Sequence, residues 1–192
     1  MSKVYSVAIY PFGSVMDEVK GLKDELASSI GGYGSRNSKA HITICELDAD
    51  CQGELDSIKS QLLKVCETEF PLNISFDHIG SYEKGTNSVI CLLPASESES
   101  ILKPLMARIR KGLKVKLTAR SHNPHITIGR RLDEEKLSIA NDLLMNKKIN
   151  LNFCCDRIVL HVREGNSQFV VIEEFVFQSK PSLSSDEQLS MF

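Results

Sequence analysis

Ala40-His41-Ile42-Thr43-Ile44 and Pro124-His125-Ile126-Thr127-Ile128 contain the same tetrapeptide, His-Ile-Thr-Ile, at an offset of 84 positions. Successive side chains of an extended strand point to opposite faces, so His41 shares a face with Thr43 while Ile42 and Ile44 take the other. The same alternation sets His125 with Thr127 against Ile126 with Ile128. The isoleucines are expected to anchor each strand to its own core. Each imidazole and hydroxyl is then presented on the opposite side, and a pseudo-twofold packing of two halves turns both pairs into one cleft.

Working outward, the similarity extends beyond the tetrapeptides. Leu72-Asn73-Ile74-Ser75-Phe76-Asp77-His78-Ile79 matches Leu151-Asn152-Phe153-Cys154-Cys155-Asp156-Arg157-Ile158 at its first, second, sixth and eighth positions. Val4 to Pro11 and Val89 to Pro94 are apolar runs, each followed by a stretch of helical character. A chain built on such a repeat reads, in each half, as strand, helix, His-containing strand, helix, strand. Helices are expected at about 15–29, 54–68, 98–112 and 133–146. The first is marked by Val15, Val19, Leu22 and Leu26 at helical spacing, the last by Asp133 as its cap with Glu134 and Glu135 in the first turn. A further strand is expected over Gln168 to Gln178. The reading is one domain, 1–178, made of halves 1–82 and 83–178, with a flexible tail from 179 to 192.

Composition bounds the remaining possibilities. At 192 residues and 42% hydrophobic content the chain is long enough to bury a core and too apolar to be disordered. No apolar run is long enough to span a bilayer and the N-terminus lacks a signal-peptide core, so a soluble, cytoplasmic monomer is expected. Six cysteines without framework spacing read as buried, reduced thiols. The net charge of −2 hides an asymmetry: Ser100 to Leu132 holds nine basic residues and no acidic one. A segment of that kind suits an anionic partner.

Two imidazoles and two hydroxyls around one volume suit displacement at phosphorus. A neutral imidazole takes a proton from water or an alcohol, and a protonated one gives a proton to the leaving oxygen. Thr43 and Thr127 would bind the non-bridging oxygens, with Arg130 or Arg131 close by. Strand alternation favours Arg131 over Arg130 on the His125 face. His125 is taken as the base and His41 as the acid, an order that the internal symmetry leaves open. His78 and His161, placed at strand ends, and His122, three residues before His125, are read as structural. No cofactor and no metal are expected.

These two motifs in a duplicated chain resemble the two-histidine phosphoesterases. Within that superfamily, Ala40 to Ile44 and Pro124 to Arg130 are most similar to the bacterial RNA 2′,3′-cyclic phosphodiesterases, also called 2′-5′ RNA ligases. The resemblance implies a bilobal α+β fold with two antiparallel sheets, outer helices and a central cleft. It also implies hydrolysis of a 2′,3′-cyclic phosphate, or reversible 2′-5′ ligation, on an RNA end or a nucleotide. Cys45-Glu46-Leu47-Asp48 departs from the aromatic and glycine residues usual after the first motif. A binding module with little turnover and a hydrolase of a small non-nucleic phosphoester are the competing readings. The C-terminal Gln188-Leu189-Ser190-Met191-Phe192 is similar to the peptides by which bacterial proteins bind the replication sliding clamp, with Gln188, Leu189 and Phe192 as its contacts.

Overall fold

The computed structural model describes residues 3–165 and 167–181. The tail motif containing Gln188, Leu189 and Phe192 lies outside the described residues. Among the described residues, nine strands and four helices follow one another as β1 (Lys3–Ile9), α1 (Ser14–Ile30), β2 (Ile42–Leu47), α2 (Gln52–Cys66), β3 (Leu72–Tyr82), β4 (Ser88–Pro94), α3 (Ser96–Gly112), β5 (Leu117–Arg120), β6 (Ile126–Leu132), α4 (Glu134–Leu144), β7 (Leu151–Cys155), β8 (Arg157–Glu164) and β9 (Val170–Val176). The pairings between these strands are antiparallel and form two sheets, β5-β2-β1-β8-β9 and β6-β4-β3-β7. The strands that continue from His41 and His125, β2 and β6, therefore belong to different sheets.

Local chemistry accounts for the elements. Val15, Val19, Leu22 and Leu26 are all buried on α1, and the helix stops at Gly31, whose φ of 73° leaves the helical region while its N–H still bonds to Ala27 O. The Asp133 carboxylate accepts a hydrogen bond from the backbone N–H of Lys136, capping α4. Strands β2 and β6 share the burial pattern of their motif, with Ile42, Ile44, Ile126 and Ile128 fully buried. Those isoleucines join a single continuous core, which corrects the expectation of one core per half.

The repeat breaks at one aspartate. β3 runs unbroken through Asp77, whereas the matching stretch stops at Asp156, so that β7 stays in one sheet and β8 continues in the other. β8 pairs with β1 and carries His161 in its interior, fully buried, and not at a strand end. β5 and the separate β8 are elements the sequence pattern did not show. Four cysteines are buried, while Cys51 and Cys154 are exposed, contrary to the expectation for those two. Among the described residues no helix is long and apolar enough to cross a membrane.

Candidate functional site

Pairing register decides what β2 and β6 present. Opposite β1, Cys45 pairs with Val7 and Thr43 with Ala8, which leaves Ile44 as an extra residue on β2. Opposite β4, Gly129 pairs with Ile90 and Thr127 with Cys91, leaving Ile128 extra on β6. A bulge at the same place in each motif shifts the alternation by one. After it, Cys45 and Gly129 face the core and Glu46 and Arg130 turn toward the cleft side. Strand β6 adds a second bulge at Arg131, with φ of 57°, before Leu132 re-pairs with Ser88. Simple alternation, which favoured Arg131 over Arg130, fails for this reason: both guanidiniums reach the cleft.

The histidines are held alike. The Nδ1–H of His41 donates to the carbonyl of Lys39 at 2.8 Å, and that of His125 donates to the carbonyl of Asn123 at 2.9 Å. A carbonyl only accepts, so each ring carries its proton on Nδ1 when neutral and leaves Nε2 as the exchangeable site. The cleft between the sheets encloses about 340 Å³, lined by His41, Thr43, Glu46, Thr127, Arg130, Arg131, Arg163 and Phe169 among others. His125 is not among the residues that line this cavity; its ring lies 6.2 Å from that of Tyr82, and it is near enough for its charge to act on His41. A more open depression of about 800 Å³ beside Ser75, Ser98 and Asn152 has Glu97 as its one charged side chain, so size alone does not mark the site.

The surroundings of the two imidazoles differ. Register places Tyr10 across from His41, with ring centroids 5.8 Å apart, and His161 completes a near-perpendicular contact at 5.5 Å. The His161 Nδ1 is hydrogen-bonded to the Tyr10 hydroxyl at 2.9 Å, and Phe169 stacks on the His161 ring at 4.2 Å. Burial is the chief cause that holds the His41 pKa below the ordinary histidine value, with the charges of Lys23, Arg130 and His125 adding to it against the Lys39 hydrogen bond. Burial, aided by His41, takes His161 down to about 3, so it is neutral at physiological pH.

Second-half chemistry is braced by first-half backbone. The Arg130 N–H donates to Gly34 O at 3.1 Å, and a Cβ at Gly34 would meet Arg130 O at 2.9 Å, an approach that only glycine permits. The loop carrying Gly34 is tied down by Lys23, which reaches Ser35 O and both Ser38 O and Oγ. Desolvation first, and then Arg130, lower Lys23 to about 8.

Of the residues expected from sequence, His41, Thr43, Thr127, Arg130 and Arg131 line one cavity, and His125 is not among its lining residues. Glu46, Tyr10, His161, Arg163 and Phe169 were missed. The alternation Val159, His161, Arg163 was legible as one strand face, but splitting the last strand at Asp156 was needed to use it. The basic run of Ser100 to Leu132 divides: Arg108 is engaged by Glu69 in a two-pronged pair, Arg110 donates to Ser121 O, and Arg130 and Arg131 serve the cleft.

The chain is 23% identical over 174 residues to a protein of Oceanobacillus iheyensis named Putative phosphoesterase OB1230, covering 90% of this chain and 96% of that one. Its fold is similar to E. coli LigT complexed with NADP+, at a TM-score of 0.64 and 13% identity, over 93% of this chain and 99% of LigT. It is also similar to TT0787 of Thermus thermophilus, at a TM-score of 0.63 and 15% identity, over 93% of this chain and 100% of that one. The family model of the 2′-5′ RNA ligase superfamily matches residues 12–167, and the chain belongs to that superfamily of two-histidine phosphoesterases.

Proposed function

We propose that the protein hydrolyses a 2′,3′-cyclic phosphate or a 2′-5′ phosphodiester on a nucleotide or RNA end, with the reverse ligation using the same groups. The observation that carries the reading is the matched pair of imidazoles, each oriented by the carbonyl two residues before it and each followed by a threonine and a bulge. Solved structures of E. coli LigT with 3′-AMP and with phosphate share the fold and agree with a phosphate-containing ligand.

In the hydrolytic direction the unequal surroundings favour His41 as base and His125 as acid, the reverse of the order taken from sequence. His41, held neutral by burial, accepts a water proton on Nε2 as the water oxygen bonds to phosphorus. His125 gives its Nε2 proton to the departing ribose 3′-oxygen. The P–O3′ bond breaks and a 2′-phosphate monoester remains. Thr43 and Thr127 hydroxyls and the Arg130 guanidinium bind the non-bridging oxygens as charge accumulates there. Acid and base both come from side chains, so the reaction calls for no metal.

The test is incubation of the protein with adenosine 2′,3′-cyclic phosphate and with a 2′-5′ dinucleotide, in EDTA, with products resolved by chromatography. Formation of the 2′-phosphate, lost in His41→Ala and His125→Ala, is the expected result. Turnover of these substrates at near-wild-type rates by both variants would overturn the reading.

A further inference from the structure

Three guanidiniums meet at the cleft against one carboxylate, and one phosphodiester group accounts for only part of that charge. Arg130, Arg131 and Arg163 all line the cavity, with Glu46 as its acidic member. Among the described residues no carboxylate forms an ion pair with any of the three. Burial and the charges of Arg131 and Arg163 hold the Arg130 pKa below its ordinary value, with Glu46 opposing them. A cyclic phosphate or an internal diester carries a single negative charge. Arg130, next to the two threonines along β6 and β2, suits that group.

Arg163 is set apart by its support. It lies two residues beyond His161 on the same face of β8, and its guanidinium carbon sits 4.9 Å from the centre of the Phe169 ring. Phe169 is also stacked on His161, so the arginine is one end of a fixed aromatic column and not a free surface charge. Its Nε is buried and has no hydrogen-bond partner among the described residues.

We propose that Arg163, with Arg131, forms a second anion subsite that binds a phosphate other than the scissile one. The preferred substrate class is then a cyclic phosphate or 2′-5′ diester whose nucleoside carries a further phosphoryl group, rather than a bare nucleoside cyclic phosphate. This rests on the phosphodiesterase reading, so binding and turnover are measured separately.

Calorimetric titration of the wild-type protein compares adenosine 2′-monophosphate, adenosine 2′,5′-bisphosphate, and a 2′-phosphorylated dinucleotide whose additional phosphate is an internucleotide diester. The bisphosphate is expected to bind about tenfold more tightly than the monophosphate, the difference for one charge-assisted contact, and less so as salt is raised. Tight binding of the dinucleotide as well assigns the subsite to an RNA strand, and of the bisphosphate alone to a terminal phosphate. In Arg163→Met the ratio of bisphosphate to monophosphate affinity should fall to about one, with Arg163→Lys in between. Equal affinities in the wild type, or a ratio unchanged in Arg163→Met, would overturn the proposal. Turnover of adenosine 2′,3′-cyclic phosphate, followed in parallel, reports on the catalytic reading alone.

Discussion

The two His-Ile-Thr-Ile segments have the same backbone device and unequal neighbours. Each orients its histidine through the carbonyl two residues upstream, and each shifts its strand at the second isoleucine. Beyond the bulge the halves part: Glu46 stands where the second half has Arg130, and buried Leu47 where it has left-handed Arg131. His41 is walled by Tyr10 and His161, while His125 faces Tyr82. The repeated motif thus supplies two alike imidazoles, and the surroundings differ: one is enclosed by aromatic rings, and the cleft's arginines from the motif strands lie on the second motif's strand.

The strongest way to break this comparison is to remove either histidine. His41→Ala and His125→Ala should each lower kcat by about 10²–10⁴-fold, the range for a positioned acid or base, as steady-state assays on the cyclic phosphate will show. The position-matched pair Glu46 and Arg130 sharpens it next. Arg130→Ala should raise KM about tenfold at low salt, with the penalty shrinking as ionic strength rises. Glu46→Gln, which removes the one carboxylate found on the cavity wall among the described residues, should lower KM severalfold instead.

Stability offers the next comparison. His161 is buried with its pKa depressed to about 3, so the unfolded chain binds its proton more readily than the folded one. Stability from this group is therefore complete above about pH 6.5 and is lost progressively as pH falls toward 3. Between pH 7.5 and 5 the wild type should lose about 2 kcal/mol more than His161→Asn in urea denaturation, the slope of one proton per molecule over the lower part of that range. Equal losses would place the acid sensitivity elsewhere.

The smallest effect concerns the second bulge, which β2 lacks. Arg131 holds φ at 57°, a conformation that costs an L-residue about 1 kcal/mol and glycine little. Arg131→Gly should leave the thermal midpoint within a few degrees of wild type while weakening anion binding, and Arg131→Val should lower it, because a β-branched side chain resists that conformation.

Much of this was readable in the sequence because its signals are local. Helical spacing of Val15, Val19, Leu22 and Leu26, the Asp133 cap and the doubled tetrapeptide each depend on residues a few positions apart. The succession of strands and helices and the two histidines followed from them, and the α+β architecture with two antiparallel sheets was what the family resemblance implied. What escaped depends on pairing between distant strands. Nothing in Ile44 or Ile128 announces a bulge, yet the bulges decide that Glu46 and Arg130 face the cleft. His161 could be placed beside His41 only by knowing that β8 pairs with β1, and Gly34 could be tied to Arg130 only by the fold that brings that loop to β6.

Whether equivalent motifs perform unequal tasks is decided by changing the leaving group. A 4-nitrophenyl phosphodiester expels 4-nitrophenolate, which departs without a proton and so needs no acid. Release of nitrophenolate by wild type, His41→Ala and His125→Ala, relative to their rates on the cyclic phosphate, is the measurement. If His41 is the base and His125 the acid, His125→Ala regains most of its lost rate on the activated diester while His41→Ala remains about 10²-fold impaired. Recovery by His41→Ala, with His125→Ala still impaired, would reverse the two roles and contradict the assignment made from their surroundings.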